Sequence, residues 1–413
     1  MSIKVREVEE PYTAVPVRQL IVGTRLPCDI FIKEKGSLRI FLARDVLYMN
    51  ISLDILKENN MSDVYIHIRD IPDFDFYLSR NRLLRQTVDE AGMDAFKQYS
   101  SAKERFHQID ATLITPGTKI NFSLYVTHRF KFSPLVEATD ESPASADDIL
   151  LGEAADVFIK KNDLPRYHGY ISNLQQSAEI TNGAGPEIKT LILKEMTKIV
   201  LQEFFDDPGN NEKIIEINTM VHKILELIAE NRDLIHPLLS LRGYDYYSYT
   251  HSLNVAILSI SLGHVLDLKQ DDMEKLGMGV LLHDVGKIAI PHEILNKQGN
   301  LSDAEFNIFK NHVLEGEKIM QKHKNFPEES FSAILQHHEK LSGKGYPYGL
   351  SGGEVSLFGR ISAISDYYEV LTTPRLYKVA YKPFQALLKM SGEKEDYDTD
   401  LLKRFIKMLG NMT

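Results

Sequence analysis

Leu281-Leu282-His283-Asp284-Val285-Gly286-Lys287-Ile288 closes an apolar run with a histidine followed at once by an aspartate. Such neighbours can ligate adjacent metal ions, the carboxylate bridging them with its two oxygens. Two metals about 3.5–4 Å apart form a clamp for in-line attack on a phosphoryl centre. Alone, a His-Asp pair is an ordinary helix-end or core feature, so its meaning depends on the rest of the chain. Working outward, four more segments supply ligands of the same kind. His251 opens His251-Ser252-Leu253-Asn254-Val255-Ala256, and His312 lies in Asn311-His312-Val313-Leu314-Glu315-Gly316. His337 and His338 adjoin in His337-His338-Glu339, and Asp366 lies in Ile364-Ser365-Asp366-Tyr367-Tyr368. Imidazole and carboxylate without thiolate suit iron, manganese or zinc. Five imidazoles and two carboxylates are too many for one first-row ion and suit two. His264, His292 and His323 read as hydrogen-bonded core histidines and stay outside the set.

From Gly243 onward no strand pattern is convincing, and the helix starts carry physical signatures. Asp271-Asp272-Met273-Glu274 and Ser302-Asp303-Ala304-Glu305 read as capping boxes. Pro327 and Pro383 sit where first-turn prolines are tolerated, and Gly410 stops the helix running from Leu401 to Leu409. Upstream, Ile188, Ile192, Met196, Ile199 and Val200 keep helical spacing until Asp206-Asp207-Pro208-Gly209-Asn210. Ile214, Ile217, Val221, Ile224 and Ile228 mark a second helix. The C-terminal half is therefore expected to be an all-α bundle.

The 413 residues suggest two or three domains, and an apolar share of 43% suffices for ordinary cores. One cysteine, Cys28, excludes an intramolecular disulfide and thiolate zinc sites, which fits a reducing, cytoplasmic setting. No apolar stretch has membrane-spanning length; Val255 to Leu268 is interrupted by His264 and Asp267. The first seven residues lack the apolar core of a signal peptide. A net charge of −10 disfavours binding to a nucleic acid polymer but leaves room for a small anionic substrate. Four of the 14 histidines lie in residues 1–206 and ten in residues 207–413, so metal chemistry belongs to the C-terminal half.

The N-terminal half repeats itself. Asp63-Val64-Tyr65-Ile66 through Tyr77-Leu78-Ser79 matches Asp156-Val157-Phe158-Ile159 through Tyr170-Ile171-Ser172, at a constant offset of 93 residues (63 to 156, 77 to 170). Leu20 to Ile32 likewise matches Ile114 to Val126, each around a Gly-Thr turn (Gly23-Thr24, Gly117-Thr118). Short β-branched and aromatic runs around such turns read as strands, with Asn50 to Asn59 and Ala144 to Ala154 as matching short helices. The expected plan is α+β and multidomain: a first small module over 1–80, a helical connector over 81–108, the second module over 109–175, a linker over 176–186, and an all-α domain over 187–413. The modules are placed as regulatory or recruiting parts, through a signalling partner or a homodimer contact.

His283-Asp284 with Gly286-Lys287-Ile288, then His337-His338-Glu339, then Gly343-Lys344-Gly345-Tyr346-Pro347, resembles the HD-GYP family, bacterial metal-dependent phosphodiesterases of cyclic dinucleotides within the HD superfamily. The likeness covers roughly Tyr244 to Gly410. It implies an HD-type helical bundle and two divalent metals, iron first and manganese second. His251, His283, Asp284 and Asp366 are implied as ligands of one metal, and Asp284, His312, His337 and His338 as ligands of the other. Asp284 and Lys287 are the implied catalytic residues. Lys287, Tyr346, Arg375 and Lys378 are the implied substrate contacts, Tyr346 as a lip over the site and the cations on phosphate. Two positions depart from the family. Tyr247 stands where some relatives carry a carboxylate for a third metal, so two metals are expected. Glu369 stands where an aspartate is usual, one methylene longer.

The activity implied is hydrolysis of cyclic di-GMP to pGpG and/or GMP by a metal-bridging hydroxide, in second-messenger signalling. Two alternatives stay open: another HD-type nucleotide hydrolase, and a catalytically silent module that binds a cyclic dinucleotide or serves as a scaffold.

Overall fold

A computed structural model describes residues 12–20, 24–34, 37–44, 47–48, 52–53, 56–57, 59, 61–80, 105–128, 131–149, 157–181, 186–230, 249–295, 297, 301–373 and 381–410. The chain divides into two compact units. Residues up to 105 make the first, and the second runs from Phe106 onward apart from short pieces at 126–133 and 374–379.

The first module contains β1 (Tyr12–Pro16), β2 (Thr24–Arg25), β3 (Ile30–Glu34), β4 (Ser37–Leu42), β5 (Leu47–Tyr48), β6 (Asp63–His67) and helix α1 (Ile71–Arg80). Its main sheet has the order β1-β6-β3-β4, and β2 pairs with β5. Along β6, Val64 and Ile66 are buried while their neighbours are not, the period of a strand with one covered face. Leu26, Cys28, Ile30, Leu56 and Phe74 join them in one core.

The second module repeats this plan with β7 (Phe106–Ile109), β8 (Lys119–Ile120), β9 (Leu124–His128), β10 (Lys131–Val136), β11 (Ala144–Ser145), β12 (Val157–Lys160) and α2 (Leu164–Thr181). Its sheet order, read from the other edge, is β7-β12-β9-β10, and β8 pairs with β11. Side chains follow the backbone. The Tyr77 hydroxyl lies 2.7 Å from Thr24 Oγ1, and the Tyr170 hydroxyl lies 2.9 Å from Thr118 Oγ1. The strand β7 begins before residue 109, because Phe106-His107-Gln108-Ile109 alternates out and in with a histidine at one inward position. Ala144 to Asp148 forms a short strand and a 3-10 turn where a helix was expected. Helix α2 continues to Thr181, past the boundary expected at 175, through polar residues that hydropathy reads as linker. Of the connector expected over 81–108, residues 81–104 lie outside the described residues.

The helices that follow are α3 (Pro186–Asp206), α4 (Asn211–Glu230), α5 (Tyr249–Val265), α6 (Gln270–Leu281), α7 (His292–Leu295), α8 (Asp303–Lys310), α9 (His312–Met320), α10 (Phe331–Gln336), α11 (Leu357–Thr372), α12 (Pro383–Gly392) and α13 (Thr399–Gly410). Beyond Gly243 the described residues hold no strand, only an isolated bridge between Ser342 and Ser351. Helix α5 is buried on every side from His251 to Gly263, which marks it as the axis of the bundle. It packs against α3, α6, α11 and α13. Ser302 and Glu305 form the expected capping box of α8. The box expected at Asp271 to Glu274 does not form; α6 starts two residues earlier, after Lys269, with no side-chain cap. Pro383 opens α12, whereas Pro327 precedes a 3-10 turn. Among the described residues, no helix is long and apolar enough to cross a membrane.

Candidate metal centre

Three of the predicted ligands sit at helix ends, and the chain places them there by one local device. His283 follows α6, His312 opens α9 after α8, and His337 follows α10. In each case ring Nδ1 donates to the carbonyl three residues back: Val280 at 2.7 Å, Phe309 at 2.8 Å and Ile334 at 2.7 Å. Those carbonyls lie in the last turn of a helix, where backbone acceptors lack a helical donor. The bond satisfies the carbonyl, fixes the tautomer and leaves Nε2 as a bare lone pair aimed inward.

Two more, His251 and Asp366, come from two helices packed face to face. On α5, His251 and Asn254 are one turn apart; on α11, Asp366 and Glu369 are one turn apart. His251 Nδ1 donates to Glu369 Oε2 at 2.5 Å. The other Glu369 oxygen accepts from Asn254 Nδ2 at 3.2 Å and Thr373 Oγ1 at 2.7 Å. His251 Nε2 then faces Asp366 Oδ1 at 3.2 Å.

Asp284 divides the group in two. Its Oδ2 lies 3.5 Å from His251 Nε2 and 3.4 Å from His283 Nε2. Its Oδ1 lies 3.5 Å from His312 Nε2 and 3.9 Å from His337 Nε2. His338 Nδ1 stands 3.8 Å from Asp366 Oδ2. All seven predicted ligands thus converge, in overlapping sets: His251, His283 and Asp366; His283, Asp284 and His337; His312, His337 and His338.

This donor set fits metal ions. Asp284 Oδ1 and His283 Nε2 are buried without a hydrogen-bond partner, and His312 Nε2 and His337 Nε2 face each other at 3.4 Å. Buried lone pairs gathered like this are costly unless a cation sits among them. Burial pushes His312 down to about 4 and His338 to about 3, and lowers His283 and His337 as well, so these imidazoles are neutral at pH 7. Burial alone would raise Asp284, but Lys287 and His283 hold it well below the usual carboxylate range. His251 differs. Burial lowers it, yet Glu369 on one ring nitrogen and Asp366 on the other lift it to about 9, so a cation binding there must displace a proton.

Close backbone approach completes the geometry. The 3-10 turn Val285–Ala289 lies against α9, and a Cβ on Gly286 would stand 1.9 Å from the His312 carbonyl oxygen. Only glycine lets the His283-Asp284 segment come this near to His312.

Residues 233–401 match the family model described as HD domain. This chain is similar to HD domains over that region. It is 29% identical over 243 residues to "Cyclic di-GMP phosphodiesterase PA4108" of Pseudomonas aeruginosa, covering 56% of this chain and 59% of that protein. It is 30% identical over 176 residues to "3'3'-cGAMP-specific phosphodiesterase 2" of Vibrio cholerae, covering 42% of this chain and 34% of that protein. The chain therefore spans less than two thirds of the length of either relative. Among solved structures, Bd1817, an HDG"Y"P protein from Bdellovibrio bacteriovorus, shares the fold with a TM-score of 0.58 at 20% identity, covering 74% of this chain and 99% of that one.

Around these converging side chains, the other predicted residues fall as follows. Lys287 Nζ forms a short ion pair with Asp284 Oδ2 and lies 5.7 Å over the Phe309 ring. The Tyr346 ring lies 4.6 Å from His338 and 6.4 Å from His312. Arg375, Lys378 and Tyr247 lie outside the described residues. His323 is bonded to Asn211 and Pro208 in the core, as anticipated.

One functional residue had no role assigned from the sequence. Glu339, next to the two histidine ligands, is buried and accepts from the backbone nitrogens of Tyr348, Gly349 and Leu350 at 2.7, 3.1 and 3.0 Å. It ties down the loop that carries Tyr346, whose own nitrogen donates to the His338 carbonyl at 3.2 Å. The sequence signal was the third letter of His-His-Glu; its partners are backbone groups and leave no trace in the sequence.

Proposed function

We propose that this chain is a metal-dependent phosphodiesterase that opens the ring of a cyclic dinucleotide, with cyclic di-GMP as its substrate and pGpG, or GMP after a second cut, as its product. The carrying observation is the placement of the two Asp284 oxygens, each facing a different group of imidazoles. Relatives named as cyclic di-GMP phosphodiesterases support the substrate class. His251, His283, Asp284 and Asp366 would hold one ion, and Asp284, His312, His337 and His338 the other. Iron suits this nitrogen and oxygen set, with manganese as the substitute. Bound ions would lower the pKa of a water and neutralise charge on the phosphodiester.

The protein's own groups do the rest. Histidines locked by their Nδ1 bonds hold their lone pairs in fixed directions, so little reorganisation accompanies binding. Lys287, part-buried beside Asp284, would contribute an ammonium to a phosphate oxygen of the substrate. Arg375 and Lys378 are assigned to the second phosphate from their sequence positions. Burial raises the Tyr346 phenol far above its ordinary range, so its hydroxyl stays protonated and can donate to the substrate.

The test is protein purified anaerobically, assayed for metal content and offered cyclic di-GMP, with products separated by chromatography. Linear pGpG or GMP formed in proportion to bound metal is expected. Tight binding of cyclic di-GMP by fully loaded protein without any product would overturn the enzymatic reading. The Vibrio relative named for 3'3'-cGAMP supports a second reading, a mixed GMP–AMP ring, and a side-by-side comparison of kcat/KM decides between the two rings.

A further inference from the structure

Helix α8 is unusual in having no buried residue, although it carries Phe306, Ile308 and Phe309. Phe306 leaves 43% of its surface exposed. A large ring left partly in water forgoes some of its burial free energy, so its position calls for a reason. Two rows of rings lead out from the metal ligands and meet at this side chain. In one, His312 is 5.0 Å from Phe309, which stacks on Phe306 at 6.4 Å and 13°. In the other, His338 is 4.6 Å from Tyr346, which meets Phe306 edge-on at 6.0 Å and 84°. The Lys310 ammonium stands 5.2 Å over the Phe306 ring and 6.0 Å over that of Tyr346. The result is an open aromatic surface beside a cation, one ring further out than the groups that would hold a phosphodiester.

We propose that Phe306 and Lys310 form a base subsite, with Phe306 stacking on a guanine of the substrate and Lys310 donating to the O6 and N7 edge of that base. The inference rests on the cyclic dinucleotide reading given above and adds which residues read the base. Phosphate at the metal centre and base at α8 are the two ends of one nucleotide. Aromatic stacking accepts any base, whereas an ammonium favours guanine, which presents two acceptors where adenine presents an N6 donor beside N7.

The experiment compares Phe306→Ala, Phe306→Trp and Lys310→Met with the parent protein, all loaded with metal and checked for equal metal content. Three probes are used: cyclic di-GMP, cyclic di-AMP, and bis(p-nitrophenyl) phosphate, a phosphodiester without a base. Phe306→Ala should raise KM for cyclic di-GMP about ten-fold and leave the base-free ester unchanged, and Phe306→Trp should restore binding. Lys310→Met should narrow the preference for the guanine ring over the adenine ring about ten-fold. Equal losses on all three probes, or no change on any, would overturn the subsite. Should the parent cleave the base-free ester but no cyclic dinucleotide, the substrate assignment fails. Titration with GMP then tests the subsite separately: binding weakened about ten-fold in Phe306→Ala sustains it, and equal binding overturns it.

Discussion

The unit that begins at Phe106 holds two buried polar clusters, and they are built on opposite principles. In the one around Glu195 on α3, the charges are balanced by protein. Glu195 Oε2 pairs with Lys198 at 2.8 Å, and Oε1 accepts from the Tyr167 hydroxyl at 3.1 Å and lies 3.7 Å from His107 Nε2. His107 Nδ1 meets Gln202 on the same helix. In the metal centre lone pairs are left over. Five imidazoles and two carboxylates converge with one ammonium, Lys287, among them. A carboxylate oxygen and a ring nitrogen there lack partners. In the first cluster the buried carboxylate has a cation and a hydroxyl donor in place, His107 Nε2 and Gln202 Nε2 are left without a hydrogen bond, and the whole joins β7 and α2 to α3. The second is complete only with something added. Burial and ionisable residues alone do not mark a functional site; unpaired lone pairs that share one focus do.

The hardest way to break this contrast is Asp284→Ala. It removes the side chain whose two oxygens face different imidazole groups, so at least one metal should be lost and hydrolysis should fall to about a thousandth or less. Elemental analysis beside the product assay checks it. Full metal content with surviving hydrolysis would sink the two-metal reading. Gly286→Ala comes next. The added methyl cannot fit 1.9 Å from the His312 carbonyl, so the His283-Asp284 segment must move away from α9. A drop in metal stoichiometry below that of the parent is expected, and unchanged stoichiometry would show that the turn gives way elsewhere.

Glu195→Gln tests the other side, with a smaller effect on a different readout. Removing one member of a buried pair costs about 3 kcal/mol, so the urea midpoint should fall while metal content and hydrolysis per loaded molecule stay unchanged. Burial pushes Glu195 up, but Lys198 and His107 bring it down to about 2. A depressed folded pKa means that this stabilisation is present above the unfolded value of 4.5 and is lost as pH falls through about 2. The variant should therefore lose less stability than the parent between those limits. Equal urea midpoints at pH 7 would show that the cluster is not a structural joint.

How far these features could be read in the sequence follows from the kind of residue each uses. The seven ligands were legible because imidazole and carboxylate at five separated places have few other reasons to occur together. The duplicated module was legible through its register, and even the Tyr77–Thr24 pair has its counterpart in Tyr170–Thr118. The Glu195 cluster was hidden because its members come from three segments, each polar in an unremarkable way. A trace exists where the copies differ: His107 and Tyr167 of the second stand where the first has Thr13 and Phe74. Helix ends were misjudged where polar residues continue a helix, as in α2, or where no side chain caps it, as at Lys269. Glu339 and Gly286 act through backbone atoms, so their partners are visible only in three dimensions.

The smallest expected effect bears on Glu369, which stands where the HD-GYP pattern was expected to carry an aspartate. Glu369→Asp shortens the side chain by one methylene on a helix whose backbone is held by Asp366 one turn before it. The present carboxylate spans His251 Nδ1 with one oxygen and Asn254 and Thr373 with the other. A shorter one cannot keep both sets of partners while α5 and α11 stay where they are. The His251 ring then loses its fixed direction, and affinity for the ion at that end should weaken about ten-fold, within the range for groups that orient a ligand. The ion held by His312, His337 and His338 should bind as before. The parent's affinity at the His251 end should rise with pH up to about 9, because the ion competes with the proton that Glu369 and Asp366 hold on that ring. Glu369→Gln keeps the reach but loses the charge, so it should flatten this pH dependence while keeping more of the affinity than Glu369→Asp. Stepwise metal titration at several pH values separates these outcomes. If Glu369→Asp takes up both ions like the parent, the extra methylene is a neutral substitution, and the orientation of His251 is fixed by α5 alone.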